Sequence, residues 1–388
     1  MKVAIIGLGY VGKPLVKACL RSDREVVGID INPQVIKDLA QEFGVESRFK
    51  ASSDYSDIVD SQVIVICVPT PLNLMGHPDL SLLENAIELV AQYCQSGALV
   101  IVESTSFIGS LRKLVAPKLL QSGKSLKCGV APERIDPGNS SWSLENTTRV
   151  VSGIDQMSTD LVYSFYAEIC QDVRVVQTPE IAEASKLFEN TFRLVNIALT
   201  IEIGQLLAQE NVNIFEVIDS ASTKPFGFMP FYPSLAIGGH CIPIDPAYLN
   251  SSFAHAGLSS TLIEDSLRIN DNRMNYVTNR LEKLKLISRD SKIQILGLGY
   301  KRNSSDIRES GSLKLLNHLR SCGYKTCWYD PKVLAIESQN SSMLDYGADI
   351  WIIGNWMDEF QTIDFSSFKG ALVAFSRIEV ARDYTIIN

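Results

Sequence analysis

The sequence predicts an α/β fold in three parts. These are an N-terminal doubly wound unit over 1–178, a helical middle over 179–285 and a second α/β unit over 286–388. Three observations predict it. Short apolar, β-branched runs alternate with stretches of helical periodicity in the first and last parts. Both parts open with a strand running into a Gly-Leu-Gly-Tyr turn, at Gly7–Tyr10 and at Gly297–Tyr300. Between them, Pro179–Ser220 has no internal Pro and no Gly before Gly204, which reads as one long helix or two consecutive ones.

A chain of 388 residues is too long for one small core, and two or three domains are expected. The net charge of −8 argues against a nucleic acid partner, because no strong basic face offsets it. No apolar run reaches the length of a bilayer span, so no membrane partner is expected. The apolar N-terminus is broken by Gly7, Gly9 and Gly12 and has no cleavage site, so it reads as a strand rather than a signal peptide. Eight cysteines are scattered without a CxxC pair or a zinc-spaced cluster. That usage suits a reducing compartment, so the expectation is a cytoplasmic protein without a metal.

The first element is the run Lys2–Ile6, followed by Gly7-Leu8-Gly9-Tyr10-Val11-Gly12. An amphipathic helix follows, with Leu15, Val16, Cys19 and Leu20 at helical spacing, then a strand Glu25–Ile29 ending in Asp30. GxGxxG alone is weak evidence, but strand, GxGxxG, helix, strand and acid at this spacing form a dinucleotide signature. Such glycines let the backbone approach a pyrophosphate, and the helix N-terminus faces its charge. Asp30 would accept from the ribose hydroxyls and repel a 2′-phosphate, which favours NAD over NADP. Val63–Val68 and Leu99–Val102 read as buried strands, ending in Pro69-Thr70-Pro71 and Glu103-Ser104-Thr105. Ligands sit at the carboxyl ends of parallel strands, which puts Thr70 and Thr105 beside the cofactor unless they serve only as turn residues. Lys127–Ala131 is a further strand, followed by Pro132-Glu133-Arg134-Ile135-Asp136-Pro137-Gly138; Val150–Gly153 and Val173–Val176 complete the first part.

In the middle part Leu187, Leu194, Ile197 and Ile201 mark an apolar stripe, and Lys186 and Asn190, four apart, share one helical face. The stretch Phe231–Tyr248 then carries Gly238-Gly239-His240-Cys241, with Pro243, Asp245 and Pro246 after it. A thiol in a rigid glycine-fronted turn with a carboxylate nearby is a candidate nucleophile, and otherwise a buried structural cysteine. His240 is read as a loop-shaping residue rather than a base. Thr261–Asn279 reads as one helix. In the last part Lys292–Leu296 leads into Gly297-Leu298-Gly299-Tyr300-Lys301, which lacks the third fingerprint glycine, so spacing alone assigns no second dinucleotide site. Lys325–Tyr329, Ala348–Ile353 and Ala371–Phe375 supply later strands.

GLGYVG with Asp30, VPTP, PERIDPG, KLFEN and GGHCIPIDP, with YKRNSSDIRES following, occur in the order found in the UDP-glucose/GDP-mannose dehydrogenase family. The chain resembles these nucleotide-sugar 6-dehydrogenases over essentially its whole length. The resemblance implies an N-terminal Rossmann NAD-binding domain, a central helical dimerisation domain and a C-terminal Rossmann-like UDP-sugar-binding domain. It implies oxidation of the C6 hydroxymethyl of a UDP-sugar to the uronic acid with two NAD per turnover, for polysaccharide such as capsule. The stretch STKPFGFMPFYP, with Ile244 where a lysine is usual in the UDP-glucose branch, looks most like the UDP-N-acetylglucosamine branch. UDP-glucose, UDP-N-acetylmannosamine, and a non-catalytic NAD or nucleotide-sugar binder are the alternatives.

By the same resemblance the catalytic residues are Cys241, Lys186, Asn190, Asp245, Glu133 and Thr105. Gly7, Gly9, Tyr10, Val11, Gly12, Asp30, Pro69, Thr70, Thr105 and Arg308 would contact the cofactor. Glu133, Arg134, Lys186, Asn190, Phe231, Tyr232, Gly238 and Lys301 would hold the substrate, and the central helix would form a homodimer.

Overall fold

In the computed structural model the chain is described at residues 1–44, 48–136, 139, 141–239 and 241–388. It divides into two compact units: Met1–Glu189 with Ala247–Ser259, and Asn190–Pro246 with Ser260–Asn388.

The first unit contains β1 (Lys2–Ile6), α1 (Gly12–Arg21), β2 (Glu25–Ile29), α2 (Pro33–Phe43), β3 (Phe49–Ser52) and β4 (Val63–Ile66). It continues with α3 (Ser81–Tyr93), β5 (Leu99–Val102), α4 (Ala116–Leu120), β6 (Lys127–Val130), β7 (Arg149–Gly153), α5 (Gln156–Ala167) and β8 (Val173–Val175). Among the described residues the eight strands form one sheet in the order β3-β2-β1-β4-β5-β6-β7-β8. The order reverses at β1, which pairs in parallel with β2 on one side and β4 on the other.

Alternation along the strands divides the core. Val3 and Ile5 point to one face with Val65 and Ile101, where α1 and α5 supply Leu15, Val16, Val162 and Phe165. Ala4 and Ile6 point to the other with Ile64, Ile66 and Val100, where α3 supplies Leu83, Ile87 and Val90. With both faces covered, the strands must be continuously apolar, which is why the sequence shows them plainly. Local caps set the helix starts: Asn32 accepts from the Gln34 amide at 3.0 Å with Pro33 at the first helical position, and Asp155 accepts from Ser158 at 2.7 Å.

The structure adds three points to the sequence reading here. β6 and β7 pair antiparallel, so the sheet is not wholly parallel. The strand expected over Val63–Val68 ends at Ile66. Edge strand β3 has no apolar run, because it is partly exposed, and its sequence gave no strand signal.

Helix α6 (Pro179–Leu207) runs from the first unit into the second. With the 3-10 turn after it, Pro179–Glu210 is long and apolar enough to cross a bilayer by length and composition alone. Sequence reading did not single it out, because Lys186, Glu189, Arg193 and Glu202 interrupt its apolar residues.

The second unit continues with α7 (Ile214–Ser222), α8 (Asp245–Ser251), whose later residues return to the first unit, α9 (Thr261–Asp271) and α10 (Arg273–Lys283). Of the two readings of Pro179–Ser220, two helices is the observed one: Asn211 turns left-handed at φ 56° and Asn213 caps α7. The single helix expected over Thr261–Asn279 is two. The break falls at Asn272, between Asp271 and Arg273.

β9 (Lys292–Leu296), α11 (Gly311–Ser321), β10 (Lys325–Tyr329), the hairpin β11 (Ala335–Ile336) and β12 (Gln339–Asn340), β13 (Ile350–Ile353), β14 (Ala371–Ala374) and β15 (Thr385–Ile386) complete the fold. Their five-stranded parallel sheet has the order β10-β9-β13-β14-β15. One face packs Ile293, Ile295, Ile350 and Ile352 on Leu315 and Leu319 of α11. The other packs Trp351 and Ile353 against Phe360, Phe365 and Phe368, with Trp351 stacked on Phe368 at 3.9 Å between ring centroids. Trp351→Ala should lower stability by ~3–5 kcal/mol, read as the shift in a urea transition followed by circular dichroism.

Candidate active site

The first glycine turn has the geometry that a dinucleotide requires. Gly7 has φ +90°, and a Cβ there would lie 2.8 Å from the Cys67 carbonyl oxygen. A Cβ at Gly12 would overlap the Gly7 carbonyl, so both positions exclude a side chain. Gly9 faces open space, which leaves its backbone approachable. At the end of β2, Asp30 accepts the Leu8 amide at 2.8 Å through Oδ2 and the Asn32 amide at 2.8 Å through Oδ1, which fixes the carboxylate beside the turn. Tyr10 is exposed and Val11 half-buried on the same turn. Pro69 and Thr70 follow β4, and the Thr70 carbonyl accepts from the Tyr248 hydroxyl at 3.3 Å. The residues present therefore fit NAD.

A second group lies past β5 and β6 in the same unit. Ser104, Thr105, Ser106, Pro132, Glu183, Lys186 and Leu187 line a small pocket. Lys186 Nζ lies 3.7 Å from Glu133 Oε2, and both residues are buried. Arg134 follows Glu133 on the same loop. Its guanidinium grips both carboxylate oxygens of Glu189, at 2.7 and 3.1 Å, and donates to the Thr148 carbonyl at 2.6 Å.

Beneath Glu133 lies an ion pair that sequence reading did not anticipate. Glu103 Oε1 accepts from Arg149 at 2.9 Å and also from the Tyr166 hydroxyl, and all three side chains are buried. Arg149 donates to the Pro132 carbonyl at 3.3 Å, and the Glu103 carbonyl accepts the Glu133 amide at 3.3 Å. The pair therefore grips the chain immediately before and at Glu133. Burial pushes the Glu103 carboxyl above the usual carboxylate range, and Arg149 and Tyr166 oppose that push. The available signal was position: Glu103 directly follows an apolar strand, where a buried acid needs a partner.

Glu183 was also missed. One turn before Lys186 on α6, its carboxylate accepts the Gly109 amide at 2.5 Å, the Leu111 amide at 2.9 Å and the Ser110 hydroxyl at 2.8 Å. These bonds tie the loop that carries Thr105 to the helix that carries Lys186. Burial pushes its carboxyl up, opposed by those same donors.

The second unit holds the remaining candidates. The Cys241 carbonyl accepts the Ile244 and Asp245 amides at 3.1 and 2.8 Å, so Cys241 sits just before α8. Asp245 is 1 % exposed, and its Oδ2 accepts from Asn190 Nδ2 at 2.6 Å. Gly239 has φ +84° and packs on the Tyr300 ring, while a Cβ at Gly238 would lie 2.6 Å from the Glu309 carbonyl oxygen. Phe231 stacks edge-on with Phe192. Tyr232 stacks on Phe215 and donates to Asp219, which also pairs with Arg377. Lys301 Nζ sits 5.7 Å over the Tyr300 ring, and the Arg308 guanidinium pairs with Asp306 at 2.7 Å. The two units thus separate the candidates: Glu133, Lys186, Thr105 and the NAD turn in one, and Asn190, Asp245, Cys241 and Lys301 in the other. His240, with Pro137 and Gly138 of the PERIDPG stretch, lies outside the described residues. Among the described residues no group of His, Cys, Asp and Glu could hold a metal ion, and none of the eight cysteines forms a disulfide.

Glu183→Ala leaves three buried donors without their acceptor and should destabilise the protein by ~2–5 kcal/mol, measured by urea unfolding. The pH dependence has a definite sign. A carboxyl whose folded pKa is raised binds its proton more tightly when folded. Its contribution is therefore fullest below about pH 4 and declines as pH rises through the folded value. Glu183→Gln should flatten that part of the stability–pH curve.

Comparison with known proteins agrees along the whole chain. Residues 1–171 match the NAD binding domain of the UDP-glucose/GDP-mannose dehydrogenase family, 180–272 its central domain and 294–384 its UDP binding domain. The chain is 33% identical over 392 residues to UDP-N-acetyl-D-mannosamine dehydrogenase of Pyrococcus horikoshii, covering 95% of this chain and 92% of that protein. It is 34% identical over 358 residues to UDP-N-acetyl-D-glucosamine 6-dehydrogenase of Salmonella typhi, covering 87% and 84%. The solved structure of the Pyrococcus horikoshii UDP-D-ManNAc dehydrogenase superposes with a TM-score of 0.86 at 31% identity, over 96% of this chain and 94% of that one. With its glycine turn and Asp30 shaped for NAD and its three domains matched in order, the chain belongs to the UDP-glucose/GDP-mannose dehydrogenase family of NAD-dependent oxidoreductases.

Proposed function

We propose that the protein oxidises the C6 hydroxymethyl of a UDP-sugar to the uronic acid, a four-electron reaction proceeding through covalent attachment to Cys241. The observation that carries this reading is the buried Asn190–Asp245 bond at the start of α8, four residues after Cys241, whose carbonyl accepts the Ile244 and Asp245 amides. UDP-N-acetylglucosamine is the preferred substrate, on the residues around GGHC. UDP-N-acetylmannosamine is the second reading, favoured by the relative of that name at 33% identity.

Bound NAD would supply the hydride acceptor, one molecule for each of the two oxidations at C6. Gly7, Gly9, Tyr10, Val11 and Gly12 approach its pyrophosphate side, and Asp30 accepts from its ribose hydroxyls. Pro69, Thr70 and Thr105 flank it from the ends of β4 and β5, and Arg308 reaches it from the C-terminal domain. Arg134, Phe231, Tyr232, Gly238 and Lys301 hold the nucleotide sugar.

The aldehyde left by the first oxidation is attacked by the Cys241 thiolate. A C–S bond forms, and the carbonyl oxygen becomes an oxyanion. Lys186 offers it a positive charge and Asn190 an amide donor. Asp245 accepts and returns protons at Cys241 and the C6 oxygen. After the second oxidation the carbon is a thioester. Glu133 takes a proton from water, which attacks that carbon; the C–S bond breaks, and the acid leaves with Cys241 restored.

The same reading places the domain boundaries at 178/179 and 285/286, pairs two copies through the central helix, and sets the enzyme in the cytoplasm, supplying uronic acid for polysaccharide such as capsule.

The test is NADH formation from NAD with UDP-N-acetylglucosamine, UDP-N-acetylmannosamine, UDP-glucose and UDP-N-acetylgalactosamine. Two NADH per sugar and an acid product are expected, with Cys241→Ser unable to sustain turnover. Lys186→Ala should lower kcat ~10²–10³-fold. A protein that binds NAD yet makes no NADH from any of the four is a binder and not this enzyme.

A further inference from the structure

The segment leading to Cys241 has no regular structure: residues 231–239 form no helix or strand. Leu235 and Ile237 are nevertheless buried, so side chains must satisfy their backbone groups. Two residues of the α9–α10 corner do so. Asn270, 6 % exposed, accepts the Ile237 amide at 2.7 Å and donates to the Ile237 carbonyl at 3.1 Å. One side-chain amide thus replaces the pair of bonds a neighbouring strand would give. Arg273, three residues on and fully buried, donates to the carbonyls of Leu235 at 3.2 Å, Ser234 at 3.3 Å and Ile387 at 3.4 Å. Its hydrogen bonds here go to main-chain carbonyls, and burial pushes the guanidinium down to about 10. Retaining a cation there makes sense if those carbonyls must be held. Downstream, the Cys241 carbonyl is fixed by the Ile244 and Asp245 amides. The chain is therefore anchored at Ile237 and again at Cys241.

We propose that Asn270 is a positioning residue for the Cys241 thiol, acting through its two-bond clamp on Ile237, with Arg273 bracing the residues before it. This rests on the reading of Cys241 as the nucleophile. Freeing Ile237 lets the glycine pair swing the thiol away from the attacked carbon, and a displacement of about 1 Å costs on the order of 100-fold in rate.

The test compares wild type, Asn270→Ala and Asn270→Asp by hydrogen exchange at Ile237 and by steady-state turnover with the preferred UDP-sugar. In Asn270→Ala the Ile237 amide should exchange at least ~10-fold faster. Its kcat should fall ~10²-fold with KM for the sugar changed less than about threefold. NAD affinity should be unchanged. Asn270→Asp distinguishes positioning from general damage. Protonated, its carboxyl both accepts the Ile237 amide and donates to the Ile237 carbonyl; ionised, it has no donor. Exchange protection and kcat, each relative to wild type, should therefore recover as pH falls from about 8 toward about 5 in Asn270→Asp and not in Asn270→Ala.

Unchanged exchange at Ile237 in Asn270→Ala, or a kcat within about threefold of wild type, overturns the assignment. So does a pH-independent Asn270→Asp, which keeps the test valid should Asn270→Ala fail to fold. If wild type makes no NADH from any UDP-sugar while exchange at Ile237 still rises in Asn270→Ala, the clamp is upheld and the dehydrogenase reading falls, so the two failures are separable.

Discussion

A parallel strand covered on both faces can offer chemistry only at its ends, and everything else in this protein follows from that constraint. β4 and β5 are apolar throughout their length, and β1 is apolar after Lys2. Their polar neighbours begin where the strands stop: Gly7 after β1, Thr70 after β4, and Glu103, Ser104 and Thr105 after β5. Asp30 and Glu133 follow β2 and β6 in the same way. The sheet gathers the carboxyl ends of its parallel strands into one row. A dinucleotide turn, a hydroxyl-bearing loop and a buried acid–lysine pair therefore belong to a single unit without any of them being close in sequence.

The second unit repeats the device and alters one term. In each, a carboxylate at the end of a strand accepts the amide of the leucine in the Gly-Leu-Gly-Tyr turn: Asp30 with Leu8 at 2.8 Å, and Asp330 with Leu298 at 2.6 Å. Asp330 is 1 % exposed, and its other oxygen takes the amides of Lys332 and Val333. It has become an internal brace for the turn and has no face left for a ribose. Asp30 keeps a partly open face. The same local sequence thus serves a cofactor in one unit and packing in the other, in keeping with the NAD and UDP binding domains that the chain matches there.

Buried charge is the recurring means of holding the site residues. Glu103 with Arg149 fixes the chain at Pro132 and Glu133, and Glu183 fixes the loop that follows Thr105. Arg273 fixes Ser234 and Leu235. A buried ion offers little net stability over an apolar replacement, but removing one partner is costly, so each of these groups enforces one arrangement of a loop. Loops held this way keep their geometry without contributing strands of their own.

The sequence by itself determined most of the strands, the glycine turns and the family resemblance. Continuous apolar runs, φ demands at glycine and short motifs are all local signals, readable within a window of ten residues. It left open whether Pro179–Ser220 was one helix or two, and it merged α9 with α10, because propensity alone does not fix where a helix stops. The short or partly exposed edge strands β3 and β15 carried no apolar pattern at all. Only the tertiary structure decided that β6 and β7 run antiparallel, that Glu103 meets Arg149, that Glu183 caps a loop seventy residues earlier, and that Asn270 clasps Ile237. Those pairings join segments distant in sequence. Their partners are selected by which buried donor is left facing which acceptor once the sheets and helices have packed, and no local pattern encodes that choice.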